Sequence, residues 1–117
     1  MWHGRVALLW ETKSQSMTEL TPAIAQVMVD EQGRDVVIPD VYTSIGDHAF
    51  AYTPLTSVDI PDSIITIGQN AFWENNLTNI EFPDSLIYIG MGAFYENQLT
   101  SIVIPDSVSW IDYGAFW

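Results

Sequence analysis

A period of 22 residues runs from residue 35 to the end of the chain, and it leaves few folds open. Pro39, Pro61, Pro83 and Pro105 are spaced at that interval. So are the pairs Ala49-Phe50, Ala71-Phe72, Ala93-Phe94 and Ala115-Phe116, and so are Ile45, Ile67, Ile89 and Ile111. Gly46, Gly68 and Gly90 keep one register, with Asp112 in the fourth slot, and Leu55, Leu77 and Leu99 open three units. Self-similarity at such a period is the mark of stacked repeats, in which each unit buries its apolar face only against its neighbours.

The unit itself reads as strand, turn and arc. Val58-Asp59-Ile60 alternates apolar and polar residues, and its copies in the other units are Val36-Val37-Ile38, Ile80-Glu81-Phe82 and Ile102-Val103-Ile104. Proline then stops the strand, because it has no N–H for a ladder, and Pro-Asp-Ser suits a turn. The pattern predicts strands at 57–60, 79–82 and 101–104, paired in parallel in one sheet. The following arc carries Ile64, Ile67, Ala71 and Phe72 without a sustained helical period, so turns and single helical or 3₁₀ turns are expected there. Stacking makes interior ladders of like residues, with Phe72, Phe94, Ile67 and Ile89 among the most buried. The Gly46/Gly68/Gly90 column is expected at positive φ, where Asp112 is tolerated.

Residues 55–72 read Leu-Thr-Ser-Val-Asp-Ile-Pro-Asp-Ser-Ile-Ile-Thr-Ile-Gly-Gln-Asn-Ala-Phe. This unit resembles the BspA-type leucine-rich repeat, roughly L-T-x-V-x-I-P-x-S-V-x-x-I-G-x-x-A-F. The resemblance recurs through residues 35–117. It implies a β-dominated leucine-rich-repeat solenoid of about three and a half turns, with short parallel strands in one curved sheet and turns on the opposite arc. It further implies a non-enzymatic binding role through the strand face. Family members are typically bacterial or protist surface proteins, several of them adhesins, so an extracellular or cell-surface setting is implied as well.

Three segments follow from this division. Residues 1–16 are expected to be a poorly ordered extension, with Met17 as an alternative start. The apolar patch Val6–Trp10 within it is too short for a secretory signal. Residues 17–34 are expected to cap the first turn. A hairpin of Val27-Met28-Val29 with Val36-Val37-Ile38 is the favoured form; a short helix from Thr21-Pro22 through Met28 is the alternative. Residues 35–117 are the repeats.

Charge narrows the partners. Fifteen acidic residues face three basic ones, Arg5, Lys13 and Arg34, for a net charge of −12. Nucleic-acid binding needs clustered Lys and Arg and is excluded on this ground, as is docking on anionic lipid. No apolar run reaches the ~18–20 residues of a membrane span. The absence of cysteine removes thiol chemistry, disulfides and Cys-type zinc sites. No cofactor or metal motif is present, and His48 has no nucleophile beside it in the repeat, so no catalytic residue is assigned. The column Asp40, Asp62, Asp84, Asp106 reads as a repeated turn residue rather than a calcium site.

Two surfaces remain as binding candidates. Ser57, Asp59, Asn79, Glu81, Ser101 and Val103 project from the strand face, which is polar and acidic in its middle. It is either a solvated face or a recognition surface for a protein partner with basic groups. Trp73, Tyr95 and Trp117 form one aromatic column, and Tyr88 and Trp110 another. Packing over the next turn, a protein contact and a glycan contact all fit such columns. The alternative to a binding role is a structural fragment of a longer repeat array that mainly self-associates through its open C-terminal end, since a terminal turn leaves apolar side chains and a strand edge uncovered.

Overall fold

A computed structural model describes residues 19–117. The expected extension at 1–16, with its Val6–Trp10 patch and the alternative start at Met17, lies outside the described residues. The rest is a stack of 22-residue turns joined in register behind an N-terminal helix. Strands β1 (Glu19–Leu20), β3 (Ser44–Ile45), β5 (Thr66–Ile67), β6 (Tyr88–Ile89) and β7 (Trp110–Ile111) form one parallel sheet in that order. Every repeat pair is offset by one period: Ile45 faces Ile67, Ile67 faces Ile89 and Ile89 faces Ile111. β2 (Asp35–Val37) and β4 (Ser57–Asp59) form a second, two-stranded parallel sheet. The β-dominated leucine-rich-repeat solenoid is therefore present.

The main sheet is not where the alternating pattern placed it. Of the three predicted strands only 57–59 is paired, and its partner is 35–37. Residues 79–82 and 101–104 form no strand and join no ladder. The continuous ladder lies on the arc expected to hold only turns. It goes on past the strands: Gly68 N–H donates to Ile45 O at 2.8 Å, Phe72 N–H to Ala93 O at 2.7 Å and Glu74 N–H to Tyr95 O at 2.9 Å. Between these bonds the chain makes consecutive tight turns, such as Ala71 N–H to Gly68 O at 3.3 Å and Trp73 N–H to Asn70 O at 3.2 Å.

The glycine column explains why that arc closes. Gly46, Gly68 and Gly90 are not among the residues at positive φ. A Cβ on Gly90 would lie 2.7 Å from the carbonyl carbon of Gly68, and one on Gly68 would lie 2.8 Å from the Asp47 nitrogen. Glycine is needed for close approach of successive backbones, not for a left-handed turn. The left-handed column falls two residues later, at His48, Asn70, Gly92 and Gly114.

The N-terminal end is capped by helix α1 (Pro22–Gln32), so the hairpin expectation gives way to the helical alternative. Val27-Met28-Val29 looks like a strand in isolation, but local signals on both sides favour helix. Thr21 Oγ1 accepts from Ile24 N–H at 3.3 Å, Pro22 opens the first turn, and Gly33 at φ 78° donates to Val29 O at 2.8 Å. Ala25 and Met28, three apart, are the buried face. Gln32 then closes the outer edge of β2. Its side chain accepts from Val37 N–H at 2.9 Å and donates to Val37 O at 3.2 Å, in place of a neighbouring strand.

The core is a set of ladders. Phe50, Phe72, Phe94 and Phe116 stack at centroid spacings of 5.2, 5.1 and 5.5 Å with rings within 6° of parallel. Ile67, Ile89, Phe72 and Phe94 are buried as the period predicts. A polar ladder runs beside them that the sequence reading passed over. Asn75 is buried, donates to Phe50 O at 2.8 Å and Phe72 O at 3.0 Å, and accepts from Leu55 N–H at 3.1 Å. Asn97 repeats this one turn on, with Phe72 O at 2.7 Å and Leu77 N–H at 3.0 Å. The two asparagines pair backbone groups where the chain turns back toward the strand face.

Candidate functional site

The strand face owes its shape to a ladder that stops. From 34 to 38 the first two turns are bonded, with Thr56 N–H to Arg34 O at 2.9 Å and Ile38 N–H to Asp59 O at 3.1 Å. Asp35 Oδ1 adds bonds from Thr56 Oγ1 at 3.0 Å and Ser57 Oγ at 2.8 Å. Among the described residues no such bond joins 79–82 to 57–60, or 101–104 to 79–82. Two causes act at this point. Phe82 occupies the interior column of Ile38, Ile60 and Ile104, and its ring wedges edge-on against Phe94 at 5.5 Å and Phe116 at 6.3 Å. Asp59 and Glu81 also stand one turn apart in one outward column, where like charges repel.

The turns fan apart along this edge, and two grooves open. One, of about 390 Å³, is lined by Ser57, Asp59, Asn79 and Glu81 together with Asp35 and Val37. The second, of about 470 Å³, is lined by Asn79, Glu81, Asp84, Ser101 and Val103 over a floor of Ile80 and Ile102. All six strand-face candidates are thus brought together, and all are exposed. Val103 is 82% exposed and Val37 57%, so each end of the face has an apolar contact point beside the acidic middle.

The aromatic candidates divide. Trp73 and Tyr95 are half-buried and tilted against one another at 6.1 Å. Tyr52 leans on Trp73 at 4.8 Å and extends the run by one ring. Trp117 does not continue this column; it meets Tyr113 edge-on at 4.8 Å. Tyr88 and Trp110 are register partners in the main sheet. The Tyr88 hydroxyl donates to Asp112 Oδ2 at 3.1 Å, and burial followed by that bond holds its pKa above 10.0. Trp110 is 62% exposed.

Carboxylates gather beside the aromatic run. Glu74 and Glu96 stand one turn apart, and the bond Glu74 makes to Glu96 raises its pKa above the ordinary 4.5. Tyr52 is raised above 10.0, first by desolvation and then by the charges of Glu74 and Glu96. The Asp62, Asp84 and Asp106 column lies at exposed turn tips, each closed by a backbone bond such as Ile64 N–H to Pro61 O at 3.1 Å. The described residues hold no group of three or more metal-ligating side chains.

The comparisons with known proteins agree with this architecture. The sequence model of the BspA type leucine-rich repeat region matches residues 32–117, in six copies. No curated protein matches. Among solved structures, the crystal structure of the pneumococcal vaccine antigen PcpA is similar over 68% of this chain and 21% of that one, at 25% identity and a TM-score of 0.60. The chain therefore corresponds to about a fifth of that antigen's length.

Proposed function

The chain belongs to the BspA-type leucine-rich repeat family, and we propose that it is a non-enzymatic binding module whose opened strand face receives a protein partner carrying basic groups. One observation carries this reading: the face is open because its ladder stops, so the two grooves present backbone polar groups as well as side chains. Ser57, Asn79 and Ser101 supply neutral hydrogen-bonding groups, Asp59 and Glu81 supply charge, and Val103 supplies an apolar contact. Lysine or arginine side chains fit both the carboxylates and unpaired carbonyls. A cell-surface or adhesive setting is the finer form of this reading, supported by the family and by a solved relative that is a vaccine antigen.

Panning a displayed peptide library over the immobilised chain tests the proposal. Enriched peptides are expected to carry Lys or Arg and to lose binding to an Asp59→Asn/Glu81→Gln variant. Enriched peptides whose binding ignores those substitutions would place recognition elsewhere.

A second reading rests on the last turn. Ile67 and Ile89 are fully buried, whereas Ile111 in the same ladder is 42% exposed, beside Trp110 at 62%. A second copy seated on this face would cover it. The net charge of −12 opposes that contact, so sedimentation should show association rising with salt. A mass that stays monomeric at both low and high salt would remove this reading.

A further inference from the structure

Successive turns are joined by backbone columns whose direction changes at a corner. Before the corner, carbonyls face the following turn. Ile65 and Ile87 O accept from Ile87 and Ser109 N–H at 2.8 and 2.9 Å, and Ile67 and Ile89 O accept from Gly90 and Asp112 N–H at 2.8 and 2.9 Å. After the corner, N–H groups face it. Asn70 and Gly92 N–H donate to Met91 and Tyr113 O at 2.9 and 3.2 Å, and Phe72 and Phe94 N–H donate to Ala93 and Ala115 O, both at 2.7 Å. In the last turn these columns end on the carbonyls of Ser109 and Ile111 and on the N–H groups of Gly114 and Phe116. None of the four is bonded to another turn among the described residues.

The four groups are placed symmetrically. Two acceptors and two donors stand at equal distances along the chain on either side of the Asp112–Tyr113 peptide, so that Ile111 matches Gly114 and Ser109 matches Phe116. An edge of that kind is its own complement. A second copy turned about a two-fold axis at this peptide sets Gly114 N–H against Ile111 O and Phe116 N–H against Ser109 O, and the same bonds recur with the copies exchanged. The opposite end of the stack offers no such match, because helix α1 packs over it with Ala25 and Met28 buried.

The side chains around the edge suit contact with a like surface. Trp110, Ile111, Tyr113 and Trp117 are four of the ten exposed large hydrophobic residues, and they fall within the last eight positions. Asp106 and Asp112 are the only acidic side chains from Pro105 onward. Both Asp112 oxygens are held within the stack, one by the Tyr88 hydroxyl at 3.1 Å and one by Tyr113 N–H at 2.8 Å. Gly114, the residue that meets Ile111 of the other copy, has no side chain to hold the two backbones apart.

We infer that two copies of this chain pair through their last turns about a two-fold axis at the Asp112–Tyr113 peptide. The pairing rests on the self-association reading and adds to it a closed symmetry and a residue-by-residue match.

The full chain contains no cysteine, so a single introduced thiol reports one position. At about 0.5 M salt, where surface repulsion is screened within a few ångströms, sedimentation equilibrium should rise from monomer and level off at dimer. Tyr113→Cys puts its thiol beside the axis, within disulfide reach of its copy, so mild oxidation should yield a covalent dimer. Asp62→Cys, at an exposed turn tip in the middle of the stack, should not cross-link. Ile111→Ser and Trp110→Ser should each weaken the dimer at least about tenfold, and an unchanged melting curve for Trp110→Ser shows that the fold is kept. A mass that stays monomeric at high salt overturns this inference and the self-association reading together. A monomer whose Gly114 and Phe116 amides resist exchange overturns both as well, since another part of the same chain then covers the edge. Growth beyond dimer, or a dimer that Tyr113→Cys does not cross-link, leaves self-association standing and overturns the two-fold pairing alone.

Discussion

Replacing Phe94 by alanine measures how much the aromatic ladder holds the stack together. Phe94 is 1% exposed and touches three rings: Phe72 at 5.1 Å, Phe116 at 5.5 Å and Phe82 edge-on at 5.5 Å. Burying a phenylalanine side chain is worth about 2–3 kcal/mol by area. Each aromatic pair adds about 0.5–1.5 kcal/mol, and neighbouring turns collapse only partly into the space left. The expected loss is about 4 kcal/mol, within the usual range for removing a buried aromatic ring. In urea, with a slope of about 1.5 kcal/mol/M, the midpoint should fall by about 2–3 M. Phe116→Ala is the internal comparison. That ring is half-buried and stacks on one side only, so its loss should be about 1–2 kcal/mol. A Phe94→Ala loss below about 1 kcal/mol, or equal losses at the two positions, would refute the ladder as the core.

Three further outcomes follow from named contacts. Gly90→Ala places a Cβ 2.7 Å from the Gly68 carbonyl carbon, so thermal or urea unfolding should show a loss of about 1–3 kcal/mol. Asn75→Ala leaves Leu55 N–H unpaired in the interior and removes one of two donors from each of the Phe50 and Phe72 carbonyls, which keep Thr53 Oγ1 and Asn97 Nδ2; it should cost about 2 kcal/mol, more than Asn97→Ala, whose side chain is only half-buried. Glu74 has a folded pKa above its ordinary 4.5, so the folded state holds the proton longer than the unfolded chain does. Its contribution favours folding at lower pH and is lost as pH rises from 4.5 through the raised value. Melting temperature against pH should therefore fall more steeply there in the parent than in Glu96→Gln, and parallel curves would disprove the Glu74–Glu96 contact.

The stack and its register were legible because the period is a direct statement of which residues face one another. Ser44, Thr66, Tyr88 and Trp110 are partners by that offset alone. Which arc closes into a sheet was not legible. Val58-Asp59-Ile60 and Ile65-Thr66-Ile67 both alternate, so alternation does not choose between the arcs, and ladder formation depends on how closely successive backbones approach. Gly46, Gly68 and Gly90 permit that approach on one arc, while Phe82 and the Asp59/Glu81 pair oppose it on the other. These are contacts between turns, which alternation within a turn does not express. Helix α1 was legible only as an alternative, since Val27-Met28-Val29 fits either period and the caps had to decide.

The candidate sites divide in the same way. The six strand-face residues were found because alternation identifies outward positions even where the strand is unpaired. Trp73 and Tyr95 were found as a column, but Trp117 was drawn away by Tyr113. Tyr52, Glu74 and Glu96 were missed because nothing in a glutamate announces a positive φ, and a tyrosine over two glutamates does not look like one column. Asn75 and Asn97 did carry a signal, an amide repeated at 22 residues just before the conserved-in-register Leu77 and Leu99, and it was passed over.

Backbone amide exchange across the stack tests the opened face most directly. Gly68, Gly90, Phe72 and Phe94 each donate to the adjacent turn, at 2.7–2.8 Å, and should be strongly protected. Ile38, whose N–H donates to Asp59 O at 3.1 Å beside the β2–β4 pair, should be protected as well. Ile80, Glu81 and Phe82, which join no ladder, should exchange orders of magnitude faster than Phe72. Protection at 80–82 equal to that at Phe72 would mean a closed sheet with no grooves, and the proposed binding face would go with it.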